Sequence, residues 1–459
     1  MNRLSKYILF IVFAILLLFP AIQTFKVLRL KSLDGAYELT KPPQFTLQSW
    51  FSGEFQETFT KSIEDHIGFR NWFICLRNEI DYTLFSIVHT FNIVVGKDEV
   101  LYQEVYLSAY NGDDYVGDDI VKRKLDKFQF VQNELQKRGI FLMLLIAPGK
   151  ASIYPEYIPE TWSKKHKTKT NYDAYTQELQ NRSINYLDMR KYLSQIKDTI
   201  KHPLFPKCGT HWSGYTITIV ADTLIKYLEQ KTKFSLTHFN STKGYETNSD
   251  FRFTDNDIGN AMNLMWNIKA WKVYYPTITF EKKNNTSKPD ILTIGDSFNQ
   301  SFWGFYPFFS TIFGSNSQYW YYNRVISWPD SLAPKSISTE RLDYKKEIEI
   351  RKIIMIVTTE QNLNDFGFSF IDQAYNIYNP SVHYEEKIAE YISKVHTDSN
   401  LHKIIKEKAL MKNINNIDLM AFMDAKWLIN DAEQKKDAVL HQMYLDSIKK
   451  TKVNYVKLK

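Results

Sequence analysis

Cysteine is scarce in this chain, with only Cys75 and Cys208 in 459 residues. Two thiols exclude a disulfide-stapled scaffold, and their spacing is not that of a metal site. No HExxH, CxxC or carboxylate cluster marks a metal, and no GxGxxG or Walker loop marks a nucleotide. The expectation is therefore chemistry without metal or cofactor. Long basic runs are also missing: the net charge of +7 is spread along the chain, which argues against nucleic acid as a partner. There are no internal repeats and no low-complexity segments. Past the amino terminus, no apolar stretch is long enough to cross a bilayer.

Aromatic residues, by contrast, are plentiful: 15% of the chain, with 29 Tyr, 31 Phe and 10 Trp. Ring faces with polar tips suit a sugar-binding cleft, and they suit an ordinary core equally well. Residues 7–25 carry no charge. As a helix rising about 1.5 Å per residue they match the ~30 Å hydrocarbon core. Pro20-Ala21-Ile22-Gln23 is a poor signal-peptidase site, so residues 1–26 read as an uncleaved signal anchor spanning the membrane through 7–25. Basic residues balance on its two sides, and the positive-inside rule gives no orientation.

Residues 27–48 read as a polar linker. From Trp50 to about Thr90, Phe51, Phe55, Phe59, Trp72, Phe73 and Leu76 recur at threes and fours, a helical spacing interrupted at Gly68. Ile93–Val95 and Val100–Tyr102 form an expected hairpin. The stripe Leu125, Phe128, Val131, Leu135 ends at Gly139. Ile140–Ala147 is continuously apolar, as a strand buried on both faces would be. Further strands are expected at Ile184–Leu187, Ile291–Ile294 and Ile353–Val357, with an intervening helix after Ser213. Residues 230–260 look irregular. Strands alternating with helices predict an α/β, doubly wound sheet across residues 49–375, followed by a lysine-rich helical region at 376–459.

The most informative stretch is Asp290–Gln300, DILTIGDSFNQ. An apolar strand runs into Gly295, and Ser297 stands where the chain is expected to turn into a helix. There it is either a plain N-cap or a nucleophile facing free backbone N–H groups suited to an oxyanion. In open α/β sheets ligands sit at the carboxyl ends of strands, where Ser297 and Glu360 both fall. A serine hydroxyl needs a base, and histidine titrates closest to neutrality. Among ten histidines, His211 is singled out by Gly209-Thr210-His211-Trp212-Ser213, a turn feeding a helix. Trp212 is expected to pin its imidazole; the alternative is a loop histidine stacked on tryptophan.

In sequence order, FTKSIEDHIGFRNWF (Phe59–Phe73), VVGKDEVLY (Val94–Tyr102), LLIAPGKASIYPEYIP (Leu144–Pro159), GTHWS (Gly209–Ser213) and ILTIGDSF (Ile291–Phe298) follow the N-terminal anchor. This series resembles the SGNH hydrolase-like polysaccharide O-acetyltransferases, the alginate O-acetyltransferase (AlgX/AlgJ-like) family, over roughly residues 50–370. The resemblance implies Ser297 as nucleophile and His211 as general base and acid. It also implies an acetyl group carried on serine to a hydroxyl of an exported polysaccharide. A polytopic membrane-bound O-acyltransferase would supply the acetyl, and the main domain would be extracytoplasmic (periplasmic) on a single-pass anchor.

The chain departs from the family pattern at one position. The family has an aspartate two residues before the histidine, where this chain has Gly209. Asp188, Asp257, Asp296 and Glu360 are candidate stand-ins for the acid that orients the imidazole. Asn299, Tyr322, Asn323 and Arg324 are candidates for oxyanion or substrate contacts by position only; Tyr322 and Arg324 read equally as surface or core-edge residues. The readings left open are a serine–histidine dyad, a triad completed from elsewhere, and a non-catalytic polysaccharide-binding or scaffold subunit. An acetylesterase, in which water replaces the sugar hydroxyl, is the enzymatic alternative.

Overall fold

Three strands of almost purely apolar sequence form the middle of a six-stranded sheet. In chain order the strands are β1 (Phe141–Ala147), β2 (Tyr186–Asp188), β3 (Ile291–Gly295), β4 (Gln318–Tyr321), β5 (Val325–Trp328) and β6 (Ile353–Thr359). They lie in the order β2-β1-β6-β3-β4-β5, all parallel except β5, which runs antiparallel to β4 at the edge. In register, Ile356 of β6 lies between Leu144 and Ile294, and Val357 between Leu145 and Gly295. The computed structural model describes residues 3–457 apart from 26–27, 29, 36–37, 165–166, 283–285 and 329–336. The expected anchor–linker boundary at 26–27 lies outside the described residues.

Side chains alternate across the sheet with a period of two, so β1 serves two cores. Leu142, Leu144 and Ile146 pack on one face with Leu125, Phe128 and Val131 of the helix Asp118–Lys137. Met143 and Leu145 pack on the other with Ile217, Val220 and Leu224 of the helix Gly214–Lys231. The architecture is the doubly wound α/β sheet expected from the alternation. Ser213 caps the second helix, its Oγ accepting the Thr216 N–H.

Two expectations are corrected, and two strands were not expected at all. Within 230–260, Phe239–Thr247 is a strand paired antiparallel with Val273–Phe280. Its sequence, FNSTKGYET, is mostly solvent-facing, so no apolar alternation announces it. Strands β4 and β5, each four residues, went unforeseen because their aromatic residues carry no period-two signature. The helix expected after Ser297 is instead a 3-10 turn, Ser297–Asn299, continuing into a π-turn, Ser301–Phe305. Phe298, Phe302 and Trp303 are all drawn into the core, and Pro307 stops any longer helix.

Contacts divide the chain into two units: Met1–Gln103 with Lys207–Thr210 and Phe251–Ala270, and the remainder. The first holds the helix Arg3–Gln23, long and apolar enough to cross a membrane, the helices Leu47–Ser52, Glu54–His66 and Arg70–Phe85, and the expected hairpin Ile93–Val95/Leu101–Gln103. Leu101, Cys208, Ile258 and Met262 form its small core. The second holds the sheet and the C-terminal helices Tyr384–Thr397, Ser399–Met411 and Ile417–Lys457. The last of these is bolted on by ion pairs: Arg123 to Glu433 and Asp437, and Lys127 to Glu433 (3.1 Å), while Lys127 also pairs with Asp372 (2.6 Å) of the helix Phe370–Tyr378.

Candidate active site

Strand β3 ends at Gly295, where a side chain is impossible: a Cβ there would lie 2.6 Å from the Val357 carbonyl oxygen on β6. The next residue, Asp296, is 1% exposed and accepts from four donors. Its Oδ1 takes the Phe298 N–H (3.0 Å). Its Oδ2 takes the Thr359 N–H (3.0 Å), the Thr359 hydroxyl (2.7 Å) and the Asn362 amide (2.7 Å). The Tyr319 hydroxyl donates to its carbonyl at 2.6 Å. Burial pushes the Asp296 carboxyl above the ordinary carboxylate range, while the hydrogen bonds pull the other way. This carboxylate ties the turn after β3 to the end of β6 and leaves Ser297 partly exposed between two buried neighbours.

His211 Nε2 lies 2.8 Å from Ser297 Oγ. With the hydroxyl as donor, the ring must carry its own proton on Nδ1. The imidazole is 7% exposed and packs on Phe298, ring centroids 4.9 Å apart. Trp212 acts one step back from where the sequence suggested. It packs edge-on to Phe298 at 5.1 Å and donates its indole N–H to Ser301 at 3.1 Å. Phe298 is therefore the hub: it follows the serine, supports the histidine, and is itself held by Trp212. Downstream, the Ser213 N–H donates to Leu204 and its hydroxyl to Pro203, fixing the chain that leaves the histidine.

The four candidate acids occupy different places. Asp188 caps the helix Met189–Ile196 through the Lys191 N–H and accepts the Tyr172 hydroxyl at 2.8 Å. Glu360 accepts the Gly149 N–H (3.0 Å) and the Ser152 hydroxyl (2.6 Å), with the Arg190 guanidinium 3.4 Å away. Burial raises its carboxyl against those contacts. Asp296 supports the turn as described. Asp257 accepts the N–H of Thr210, the residue preceding His211 in the chain, at 2.8 Å.

The four candidate contacts also separate. Asn299 is wholly buried beneath the turn, its amide nitrogen donating to Thr293 Oγ1, which also accepts the Trp303 N–H. Asn323 is held by the Phe368 carbonyl (3.1 Å) and the Tyr344 hydroxyl (3.0 Å). Tyr322 donates its N–H to the Gly295 carbonyl at 2.9 Å. Tyr322, Asn323 and Arg324 together line a cavity of about 550 Å³ that Ser297 and His211 do not line. Sequence reasoning missed Thr359, Asn362 and Phe298. Only Phe298 carried a local signal, an aromatic residue directly after the serine.

A family model described as "SGNH hydrolase-like domain, acetyltransferase AlgX" matches residues 93–316. The "Probable alginate O-acetylase AlgJ" of Pseudomonas aeruginosa is 31% identical over 150 residues, covering 32% of this chain and 35% of that protein. The protein of the same name from Pseudomonas syringae pv. tomato is 27% identical over 156 residues, covering 33% and 37%. The chain thus spans little more than a third of the length of these curated relatives. Among solved structures, the O-acetyltransferase domain of Pseudomonas putida AlgJ superposes with a TM-score of 0.39 at 15% identity, covering 62% of this chain and 99% of that one. Pseudomonas aeruginosa AlgX gives 0.39 at 14%, covering 62% and 67%.

Proposed function

We propose, starting from residues 93–316 as an SGNH hydrolase-like acetyltransferase domain of the AlgX family, that this chain is a membrane-anchored enzyme moving acetyl groups through Ser297 onto hydroxyls of an exported or cell-surface polysaccharide. Polysaccharide O-acetylation is the chemistry that this domain and the alginate O-acetylase relatives support. The observation that carries the finer reading is the 2.8 Å approach of His211 Nε2 to Ser297 Oγ, within reach for proton transfer.

In the first half-reaction His211 takes the hydroxyl proton as Oγ bonds to the acetyl carbonyl carbon. The tetrahedral intermediate collapses with loss of the donor's leaving group, which receives that proton from the imidazolium. In the second, a sugar hydroxyl gives its proton to His211 as its oxygen attacks the acetyl-serine, and Ser297 leaves with the proton restored. The Phe298 N–H is already bound to Asp296, so the role of oxyanion donor on this turn falls to the Ser297 N–H.

The anchor is residues 7–25, and its end is braced within the same unit: Phe19 stacks on Phe69 at 5.5 Å. Trp72 and Phe73, beside that contact, are exposed aromatics of the kind that settle at a membrane interface. We place the main domain on the extracytoplasmic side, with a polytopic membrane O-acyltransferase as the acetyl source. The partial exposure of Ser297 also admits water, which favours acetylesterase activity as the second reading. The test is turnover of p-nitrophenyl acetate by the full chain with and without saccharide. Acetylated sugar supports the transferase, free acetate alone supports the esterase, and turnover that survives Ser297→Ala removes Ser297 from the reaction.

A further inference from the structure

We infer that the cavity between Tyr322 and the C-terminal helices is a subsite for the acceptor glycan, and that the glycan it takes is an uncharged sugar chain and not a polyuronate. This rests on Ser297 passing acetyl to a sugar, and it names the class of that sugar. The cavity holds about 550 Å³, room for a few sugar rings. Tyr322 and Arg324 line it from the turn between β4 and β5, and Met420, Trp427 and Gln434 from the last helix.

Three observations mark it as more than a packing gap. Tyr322 and Asn323 are consecutive residues with left-handed backbones, φ 50° and 56°, a conformation costly for a tyrosine. It is held in place by the Tyr322 N–H on Gly295 and by the Asn323 side-chain bonds. That backbone turns the tyrosine so that it lines the cavity, from a residue bonded two positions before Ser297. Gln373, beside Tyr344, also lines the cavity, and its buried Oε1 has no hydrogen-bond partner among the described residues. Trp427, 58% exposed, offers a ring face for the apolar side of a sugar.

The charge pattern selects the ligand. Four cations and four carboxylates line the cavity. Lys408 pairs with Asp424, and Lys412 with Glu340 at 2.8 Å. Lys426 donates to the Glu340 and Leu342 carbonyls at 2.8 and 3.0 Å. A polyuronate brings a carboxylate on every ring and would meet a lining of no net charge, with Asp365 beside Arg324, so its desolvation would be poorly compensated. Neutral hydroxyls need only amides and an aromatic face.

The test is binding to the full chain carrying Ser297→Ala, read by tryptophan fluorescence. The probes are neutral hexamers of β-glucan, mannan, galactan and chitin type, set against a mannuronate hexamer. The expected result is saturable binding of at least one neutral hexamer, insensitive to added salt. It should weaken roughly tenfold in Trp427→Ala and hold in Trp266→Ala, a tryptophan outside the cavity. Tighter binding of the uronate, no binding of any neutral probe, or no effect of Trp427→Ala overturns the inference. Acetyl transfer by the unmodified chain is scored separately. Binding without transfer removes the Ser297 reading and leaves the cavity standing; transfer with Trp427→Ala binding unchanged removes the cavity alone.

Discussion

Asp296 Oδ2 and Thr359 Oγ1 lie 2.7 Å apart, joining the turn that presents Ser297 to the end of the neighbouring strand. Replacing Asp296 by Asn turns one of its two acceptor oxygens into an amide donor, which must face either the Phe298 N–H or the Thr359 and Asn362 donors. We expect Asp296→Asn to cost about 2 kcal/mol of stability and to slow ester turnover more than it changes KM, because the serine turn loses its brace. Thermal unfolding and steady-state kinetics on the same sample check both.

Gly295→Ala forces a methyl to within 2.6 Å of the Val357 carbonyl. Neither strand of this central pair can move without disturbing the sheet, so the expected loss is about 1–3 kcal/mol. It reads as a lower urea midpoint with an unchanged m-value.

Phe298→Leu removes the ring under His211 while keeping an apolar side chain. The core cost should stay near 1.5 kcal/mol, with a fall in kcat of roughly tenfold as the imidazole loses its seat. A kcat unchanged under these conditions means Phe298 only fills the core.

Low pH should loosen the last helix. Burial alone would raise the Glu433 carboxyl, yet hydrogen bonds from Lys436 and Lys127, with the charges of Lys127 and Arg123, hold it down to about 2 against an ordinary 4.5. A depressed carboxylate contributes stability that is full above its unfolded value and is lost as pH falls through its folded one. The stabilisation therefore fades between about pH 4.5 and pH 2, and Glu433→Gln should flatten that part of the stability profile.

The sequence made the central sheet legible because β1, β3 and β6 are continuous apolar runs, and the serine and histidine legible because each sits in a short recognisable turn. Other parts were hidden for physical reasons. Thr359 and Asn362 act on Asp296 across 63 and 66 residues of chain, so no local pattern reports them. Phe239–Thr247 pairs through its backbone with mostly exposed side chains, and pairing of that kind leaves no hydrophobic period. The turn after Ser297 departs from α-helix where its start is tied to the end of β6 through Asp296, a tertiary contact that local spacing does not report.

The most direct measurement is the mass of the Ser297-containing peptide after the full chain is mixed with p-nitrophenyl acetate and quenched in acid. One added acetyl group on Ser297 is expected. It should vanish in Ser297→Ala and form some 10³–10⁴-fold more slowly in His211→Ala. Acetyl on another residue, or a rate untouched by loss of the imidazole, contradicts the serine–histidine mechanism.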